Sequence, residues 1–436
     1  LQRASYNQRH LALLTLVTGF FIITLACSVS RYFEFARNDF FAYYKAAQRF
    51  LDGVSPYQDE VDLPFKYAPI TVLYFVPFAF FSHSVARWIF LFVHFIGIVL
   101  LPIITVRVVQ QDPTSKLTGL NDNRVLIGTL LAFAASLRFM EIEFRAGQVG
   151  ILMCLAIFLG SLFLCHQRLG LLTRIVLGLG LLTLGAITKI HGLLVLGLFF
   201  RTQLQKSVVT SLLVVGAILI LPKPQMWLDW LNQVKATTPY CPFEGGQYVA
   251  QGIFGFTSAF LGIDNASRAP MLLIIPYLLL FFFVCPRFRF EELPNNAMAF
   301  LLAVCAMQLL GVIASPLPWT HSYSVLFGIV LASWLCANFR ESLILMVMVL
   351  FFALTPSGFM GEFARTLERG QSIFFTASLL FVLLMFQARR LSQGRFHTEG
   401  CGKKSKMSQG VGSDLETITN AQGRNRTAHT CPFISI

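Results

Sequence analysis

Residues 296–314 read Asn-Ala-Met-Ala-Phe-Leu-Leu-Ala-Val-Cys-Ala-Met-Gln-Leu-Leu-Gly-Val-Ile-Ala, with no charged side chain at any position. A helix crossing a bilayer needs about 20 apolar residues, about 17–25 being usual, and this segment meets that requirement. Comparable runs recur at 11–29, 86–106, 125–140, 148–166, 171–188, 206–222, 271–286, 322–338, 341–356 and 371–387. Shorter apolar stretches at 67–82 and 190–200 are expected to be short spans or re-entrant pieces. In hydrocarbon every backbone polar group must be satisfied within the chain, which leaves helices or closed barrels. The expected fold is therefore all-α, a polytopic integral membrane bundle of about 11–13 transmembrane or re-entrant helices.

The whole chain agrees. Of 436 residues, 56% are apolar and 13% charged, there are 44 Phe, and the mean hydropathy is +0.67. Soluble domains carry about 25% charge. So few polar residues cannot cover a water-facing surface, which excludes both a disordered chain and a multidomain soluble enzyme. The excess of 34 Lys and Arg over 21 Asp and Glu sits mainly at the ends of apolar runs, not in a basic stripe with interleaved aromatics. It reads as orientation in the bilayer, and no nucleic-acid partner is expected. Cys27, Cys154, Cys165, Cys285, Cys305 and Cys336 are scattered through apolar segments, with no CxxC pair and no Cys/His spacing for zinc, so no metal site is expected. Neither GxxxxGK, HExxH nor Gly-x-Ser-x-Gly occurs, leaving nucleotide hydrolysis, zinc proteolysis and serine hydrolysis without support.

Arg3 and Arg9 precede the run 11–29, which reads as a first anchor and not as a cleaved signal. Cations in short loops then place 107–124, 166–174, 201–206, 286–290 and the tail from Arg389 in the cytoplasm. The segments 30–66, 141–147, 188–191, 223–270, 315–321 and 357–370 fall on the other side, provided that 66–109 crosses an odd number of times. Two divisions are expected: 1–387 as the membrane domain, and 388–436 as a disordered basic cytoplasmic tail touching anionic lipid through Lys403, Lys404 and Lys406. Within the membrane domain, 30–66 is a first external loop with an amphipathic helix and 223–270 a large external loop.

The unusual polar residues collect on that external side. In 38–57, Asn-Asp-Phe-Phe-Ala-Tyr-Tyr-Lys-Ala-Ala-Gln-Arg-Phe-Leu-Asp-Gly-Val-Ser-Pro-Tyr, the positions Phe40, Tyr43, Tyr44, Ala47, Phe50 and Leu51 make one apolar face. Gly53 and Pro56 then end the helix. Lys45, Gln48 and Arg49 lie opposite, so a helix of about fourteen residues should lie along the membrane surface. Asp39, at its start, has two readings: a helix cap, or a carboxylate able to accept a proton. Tyr43 and Tyr44 are interface anchors or substrate contacts.

Four segments resemble, in order, the signatures of glycosyltransferase family 87, the polyprenyl-phosphate-mannose-dependent alpha-mannosyltransferases of the GT-C fold. The first is Asp39-Phe40 with Tyr43-Tyr44, Ala46-Ala47, Gly53 and Pro56-Tyr57, continuing into Phe65-Lys66-Tyr67-Ala68-Pro69. The second is Arg145-Ala146-Gly147-Gln148-Val149-Gly150. The third is Gly185-Ala186-Ile187-Thr188-Lys189-Ile190-His191, where His191 stands in place of the family's usual Pro. The fourth is Ser315-Pro316-Leu317-Pro318-Trp319-Thr320-His321. Together they cover most of 10–390.

The resemblance implies an inverting membrane glycosyltransferase, needing no cofactor. It would move a hexose, mannose by family, from a polyprenyl-phosphate donor to a lipid-linked or glycan acceptor. The expected location is the plasma (cell inner) membrane, multi-pass, with the site on the non-cytoplasmic face and membrane lipids around it. Asp39 would be the general base. Lys189 and Arg145 would stabilise the leaving phosphate, with His321 assisting and Gln148, Tyr43, Tyr44 and His191 lining the substrate site.

Each assignment has a plainer counterpart. Lys189 could snorkel to the interface. Arg138, Glu141, Glu143 and Arg145 could form a local ion-pair cluster, or Arg145 could bind a headgroup while Gly147 and Gln148 let a helix N-terminus approach phosphate oxygens. His321 could be a hydrogen-bonded interfacial histidine. Trp227 and Trp230 suggest a second surface-lying helix, an anchor or a lid over the acceptor. The rival function is a membrane transporter or lipid flippase, which would place its site near the midplane between two accessible sides.

Overall fold

The computed structural model describes residues 29, 32–33, 38–57, 65–112, 122–189, 194–196, 198, 223–237, 252–261, 272–315, 320–355, 366–367 and 370–409. Helices α1 (Asp39–Leu51), α2 (Val72–Ala79), α3 (His83–Gln111), α4 (Asp122–Ala146) and α5 (Gly150–Cys165) form the first part of the bundle. Next come α6 (Leu171–Thr188), π-helical over Arg174–Leu179, then α7 (Pro224–Thr237), α8 (Ile253–Leu261) and α9 (Ile274–Val284). The series closes with α10 (Ala297–Ala314), α11 (Leu326–Cys336), α12 (Phe339–Leu354) and α13 (Ser372–Gln409).

Among the described residues, five stretches are long and apolar enough to cross a membrane: His83–Gln111, Asn123–Ala146, Leu171–Thr188, Leu293–Ala314 and Ser372–Gln393. Shorter apolar helices occupy Pro69–Ala79, Gly150–Cys165, Ile274–Val284 and Ser322–Cys336. The protein is an all-α, multi-pass membrane protein. The expected spans 11–29 and 206–222 lie outside the described residues, as does most of 190–200.

The two apolar stretches of 66–109 differ in kind. At about 1.5 Å per residue, α2 rises about 12 Å and α3 about 43 Å, against a hydrocarbon core about 30 Å thick. The segment holds one helix long and apolar enough to cross, α3. Trp88, Phe92, Ile96, Val99 and Ile103 stay exposed along α3. Their three- and four-residue spacing makes one stripe, which acyl chains can cover and water cannot. α10 is the contrasting case: it is apolar around its circumference and buried from Ala297 to Ile313, as the centre of a bundle must be.

α5 and α6 pack closely through glycine. A Cβ on Gly160 would lie 2.7 Å from both the Gly178 carbonyl oxygen and the Leu182 nitrogen, and one on Gly185 would lie 2.9 Å from the Met153 carbonyl oxygen. Bundles in lipid gain from such small-residue contacts, because apolar side chains have no aqueous penalty driving them together. The same packing brings the end of α6, where Lys189 follows, beside the start of α5.

The 13 residues of α1 bury Phe40, Ala42, Tyr43, Tyr44, Ala46 and Ala47. Phe40 stacks on Phe90 with ring centroids 4.4 Å apart and meets Phe78 edge-on at 5.7 Å. Gly53 ends the helix region at φ +75°, a conformation costly for any residue with a Cβ.

The last helix runs from Ser372 to Gln409, and no proline interrupts it. Arg390 donates through two nitrogens to Glu341, at 3.0 and 2.9 Å, and Glu341 also closes a capping box with Asn338 at the start of α12. Packing divides the chain between Leu391 and Ser392. Residues 410–436 lie outside the described set.

Candidate functional site

The turn between α4 and α5 is built by the Gly-Gln segment. Gly147 has φ +69°; its N–H donates to Phe144 O at 3.0 Å, and the Gln148 N–H donates to Glu143 O at 3.0 Å. These two bonds with a left-handed glycine make a Schellman ending, which satisfies carbonyls left over at the end of α4. A Cβ on Gly147 would lie 3.0 Å from Phe40 Cβ and Phe40 N, so the missing side chain is also what lets α1 begin here.

Asn38 occupies the N-cap of α1, but its side chain makes no capping bond. Both of its amide atoms are buried without a hydrogen-bond partner. Asp39, the first residue of the helix, instead accepts a hydrogen bond from the Gln148 Nε2 amide. Gln148 Oε1 accepts from the Tyr67 hydroxyl at 2.9 Å, and Tyr67 lies 2.9 Å from the Tyr43 hydroxyl. Since Tyr67 spends its proton on Gln148, Tyr43 is the donor in the second bond. Burial raises the Asp39 carboxyl above its usual range, opposed by the Gln148 bond and then by the charges of Lys189 and Lys66. Burial likewise raises the Tyr43 and Tyr67 phenols, so both remain neutral donors.

Behind this layer lies a second one. Glu143 is fully buried, and its Oε1 accepts the Ile151 N–H at 2.8 Å, one of the first-turn donors of α5 that the helix cannot satisfy internally. Glu143 of α4 thus caps one first-turn donor of α5. Glu143 Oε2 and Ser324 Oγ are buried without hydrogen-bond partners, and each would lie 2.8 Å from a Cβ on Gly150. His94 of α3 places Nε2 2.7 Å from the Gln148 carbonyl oxygen and 3.9 Å from Glu143 Oε1. Lys189, buried just past α6, feels the charges of both Glu143 and Asp39.

α7 covers one side. Trp230 Nε1 donates to Lys66 O at 3.0 Å, and Ser55 Oγ donates to Asp229 Oδ2 at 2.7 Å. Trp227 and Trp230 pack against a small cluster of Ala68, Ile70 and Ile187, the last of these lying two positions before Lys189.

The structure thus brings Asp39, Gln148, Tyr43 and Lys189 together. Tyr44 is engaged elsewhere, donating to Phe81 O at 2.9 Å. Arg145 sits half-buried in the last turn of α4. His321 belongs to the 3-10 turn Thr320–Val325, with its side chain outside the described residues, and His191 lies outside them altogether. Of the expected charge cluster, Arg138 pairs with Glu141, while Glu143 turns inward to meet His94. His94 and the inward role of Glu143 were missed by sequence reasoning, although an ionisable residue inside an apolar span is the usual sign of a functional group. Among the described residues no three His, Cys, Asp or Glu side chains gather to hold a metal ion.

A buried carboxylate, a buried lysine and a tyrosine–glutamine network thus lie together within an all-helical membrane bundle. A family model described as Glycosyltransferase family 87 matches residues 65–316. The chain belongs to that family and is a membrane glycosyltransferase. The match includes Tyr67, His94, Glu143, Gln148 and Lys189, and begins after Asp39. Among solved structures the chain is similar to ArnT from Cupriavidus metallidurans bound to undecaprenyl phosphate, at 14% identity over 87% of this chain and 78% of that one, with a TM-score of 0.35. The apo state of the same protein aligns over the same shares at 14% identity with a TM-score of 0.30. No curated protein matches the chain.

Proposed function

We propose that the protein transfers a hexose, mannose by family resemblance, from a polyprenyl-phosphate donor to a lipid-linked or glycan acceptor, with inversion at the anomeric carbon. The observation that carries this reading is the Asp39 carboxylate held by the Gln148 amide within the electrostatic reach of Lys189. Asp39 takes the proton of the attacking acceptor hydroxyl as its oxygen bonds to the anomeric carbon. The glycosidic bond to phosphate breaks on the opposite face, and the pair of electrons leaves with the phosphate. Lys189 opposes the growing negative charge on that leaving group, a demand that exists only as the bond breaks. Arg145 and His321 assist with the phosphate, His191 with substrate contact, and Tyr43 holds the Tyr67 hydroxyl toward Gln148. A lipid monophosphate carries no diphosphate to neutralise, so this scheme calls for no metal.

The site belongs to the non-cytoplasmic face of the plasma (cell inner) membrane in this reading. Support comes from the cations of 107–124, 166–174, 286–290 and the segment from Arg389, which fall at the opposite ends of the spans from Asp39 and Lys189. Family membership favours transfer over the transporter alternative. Incubating membranes that contain the protein with labelled polyprenyl-phosphate sugars tests the proposal. Label from polyprenyl-phosphate mannose should move to an acceptor, and movement from a nucleotide sugar alone would overturn the donor assignment.

A further inference from the structure

Gln148 is held from both ends. Its side chain joins Asp39 to Tyr67, while its backbone carbonyl meets His94 Nε2 at 2.7 Å. Both ring nitrogens face carbonyl oxygens, which can only accept; the contact at Nε2 is the shorter of the two, and there Nε2 is the donor. His94 itself has little freedom. Its Nδ1 lies 3.1 Å from the Phe90 carbonyl one turn earlier, and the ring packs edge-on against Phe90 at 4.4 Å and Phe144 at 5.7 Å. It is 1% exposed, and Glu143 Oε1 stands 3.9 Å from Nε2. Gln148 needs this anchor: it follows the left-handed Gly147, and its own N–H is already used to close α4. An apolar side chain at position 94 would leave the Gln148 carbonyl buried and unpaired, which invites the turn to move.

We propose that His94 is a positioning residue for the transfer reaction: its Nε2–H fixes the Gln148 turn from within the bundle, and through Gln148 it sets the orientation of the Asp39 carboxylate. This inference rests on the reading of Asp39 as the base. His94 touches neither substrate nor reacting atom. The charged and titratable groups around the linkage are Glu143, Lys189, Lys66, Asp39, Tyr43 and Tyr67. Of these, Asp39 and Tyr67 are bonded directly to the Gln148 side chain that His94 holds.

The test compares His94→Phe, which fills the volume without an N–H, with His94→Gln, which offers an amide N–H near the Nε2 position. Both are measured in full-length protein beside Asp39→Asn. Displacing a catalytic group by about 1 Å costs about 10²-fold, so His94→Phe should lower kcat about 10- to 100-fold while the donor KM stays within about twofold. The acid limb of kcat/KM should also move to higher pH, because Asp39 loses a bond that favours its ionised form. His94→Gln should restore most of the turnover and the original limb. Parent-like turnover in His94→Phe, or equal losses in both variants with an unmoved limb, would overturn the proposal. If His94→Phe fails to insert, His94→Gln decides alone: a folded Gln variant with lost turnover overturns the inference. An inactive Asp39→Asn beside a normal His94→Phe removes this inference only, whereas an active Asp39→Asn removes the base reading and this inference with it.

Discussion

The Gln148 side-chain amide donates to the Asp39 carboxylate across 109 positions of chain. An ionised carboxylate can only accept, and the opposite end of the amide receives the Tyr67 hydroxyl, so the orientation of Gln148 is set by both neighbours. The bond therefore favours the form of Asp39 that can act as a base.

Burial is the largest influence on Asp39 and raises its pKa above the ordinary value of about 3.9. A base must be unprotonated, so kcat/KM should fall as pH drops through that raised value. Gln148→Leu removes an interaction that lowers the pKa, and the acid limb should then move further upward. A pH–rate profile of the two proteins checks this; a limb that moves downward in Gln148→Leu would contradict the assignment.

Asp39→Asn retains an oxygen that can accept from Gln148, so insertion and folding should be unaffected while transfer falls by about 10²–10⁴-fold, the usual contribution of a general base. Turnover of purified protein measures it. Parent-rate transfer by the Asn variant would falsify the role of Asp39.

Lys189→Met preserves most of the buried stem and deletes the charge felt by Asp39 and Glu143. Loss of a group that stabilises developing charge costs about 10²–10³-fold in kcat. Donor dependence should change more than acceptor dependence in a two-substrate kinetic series. An unchanged donor dependence takes Lys189 out of the site.

Gly147→Ala should strain the turn by about 1–3 kcal/mol, the range for a non-glycine residue held at positive φ. Its Cβ would also press on Phe40 at 3.0 Å. The start of α1 must then shift, carrying Asp39 with it, so activity should fall more than thermal stability. Equal, small losses in both would show that the approach of α1 to this turn is unimportant.

Gly160→Ala inserts a methyl 2.7 Å from backbone atoms of Gly178 and Leu182. Overpacking of this sort costs about 1–3 kcal/mol. Gly180→Ala, in a position where a Cβ meets nothing within 4 Å, should be neutral or stabilise by about 0.5–1 kcal/mol through helix propensity. Thermal unfolding in detergent compares the pair, and equal melting temperatures would count against the glycine-packed α5–α6 contact.

Much of the site was legible as motif. Lys189 stood out because it interrupts an apolar run, where water is scarce and a polar group needs a reason, whereas Asp39 and Gln148 stood out through the resemblance of their segments to family signatures. The roles were less legible. Gly147-Gln148 read as the opening of a helix toward phosphate, but the residues close one helix and reach sideways, since the Schellman ending uses the Gln148 N–H. Glu143 read as one of four surface charges; helical phase turns it inward while Glu141, two residues earlier, pairs outside with Arg138. His94 was one polar letter in an apolar span, and nothing local distinguishes it from a packed core histidine.

Solvent partition accounts for what one dimension could hold. Span length, loop charge and the helix from residue 39 follow from how side chains divide between water and lipid, a property of each segment alone. Which groups meet is a property of helix packing. The glycines of α5 and α6 set how closely those helices approach, and the left-handed turn at Gly147 sets where Gln148 points. Asp39 acquires a partner from position 148 only because both constraints are satisfied at once.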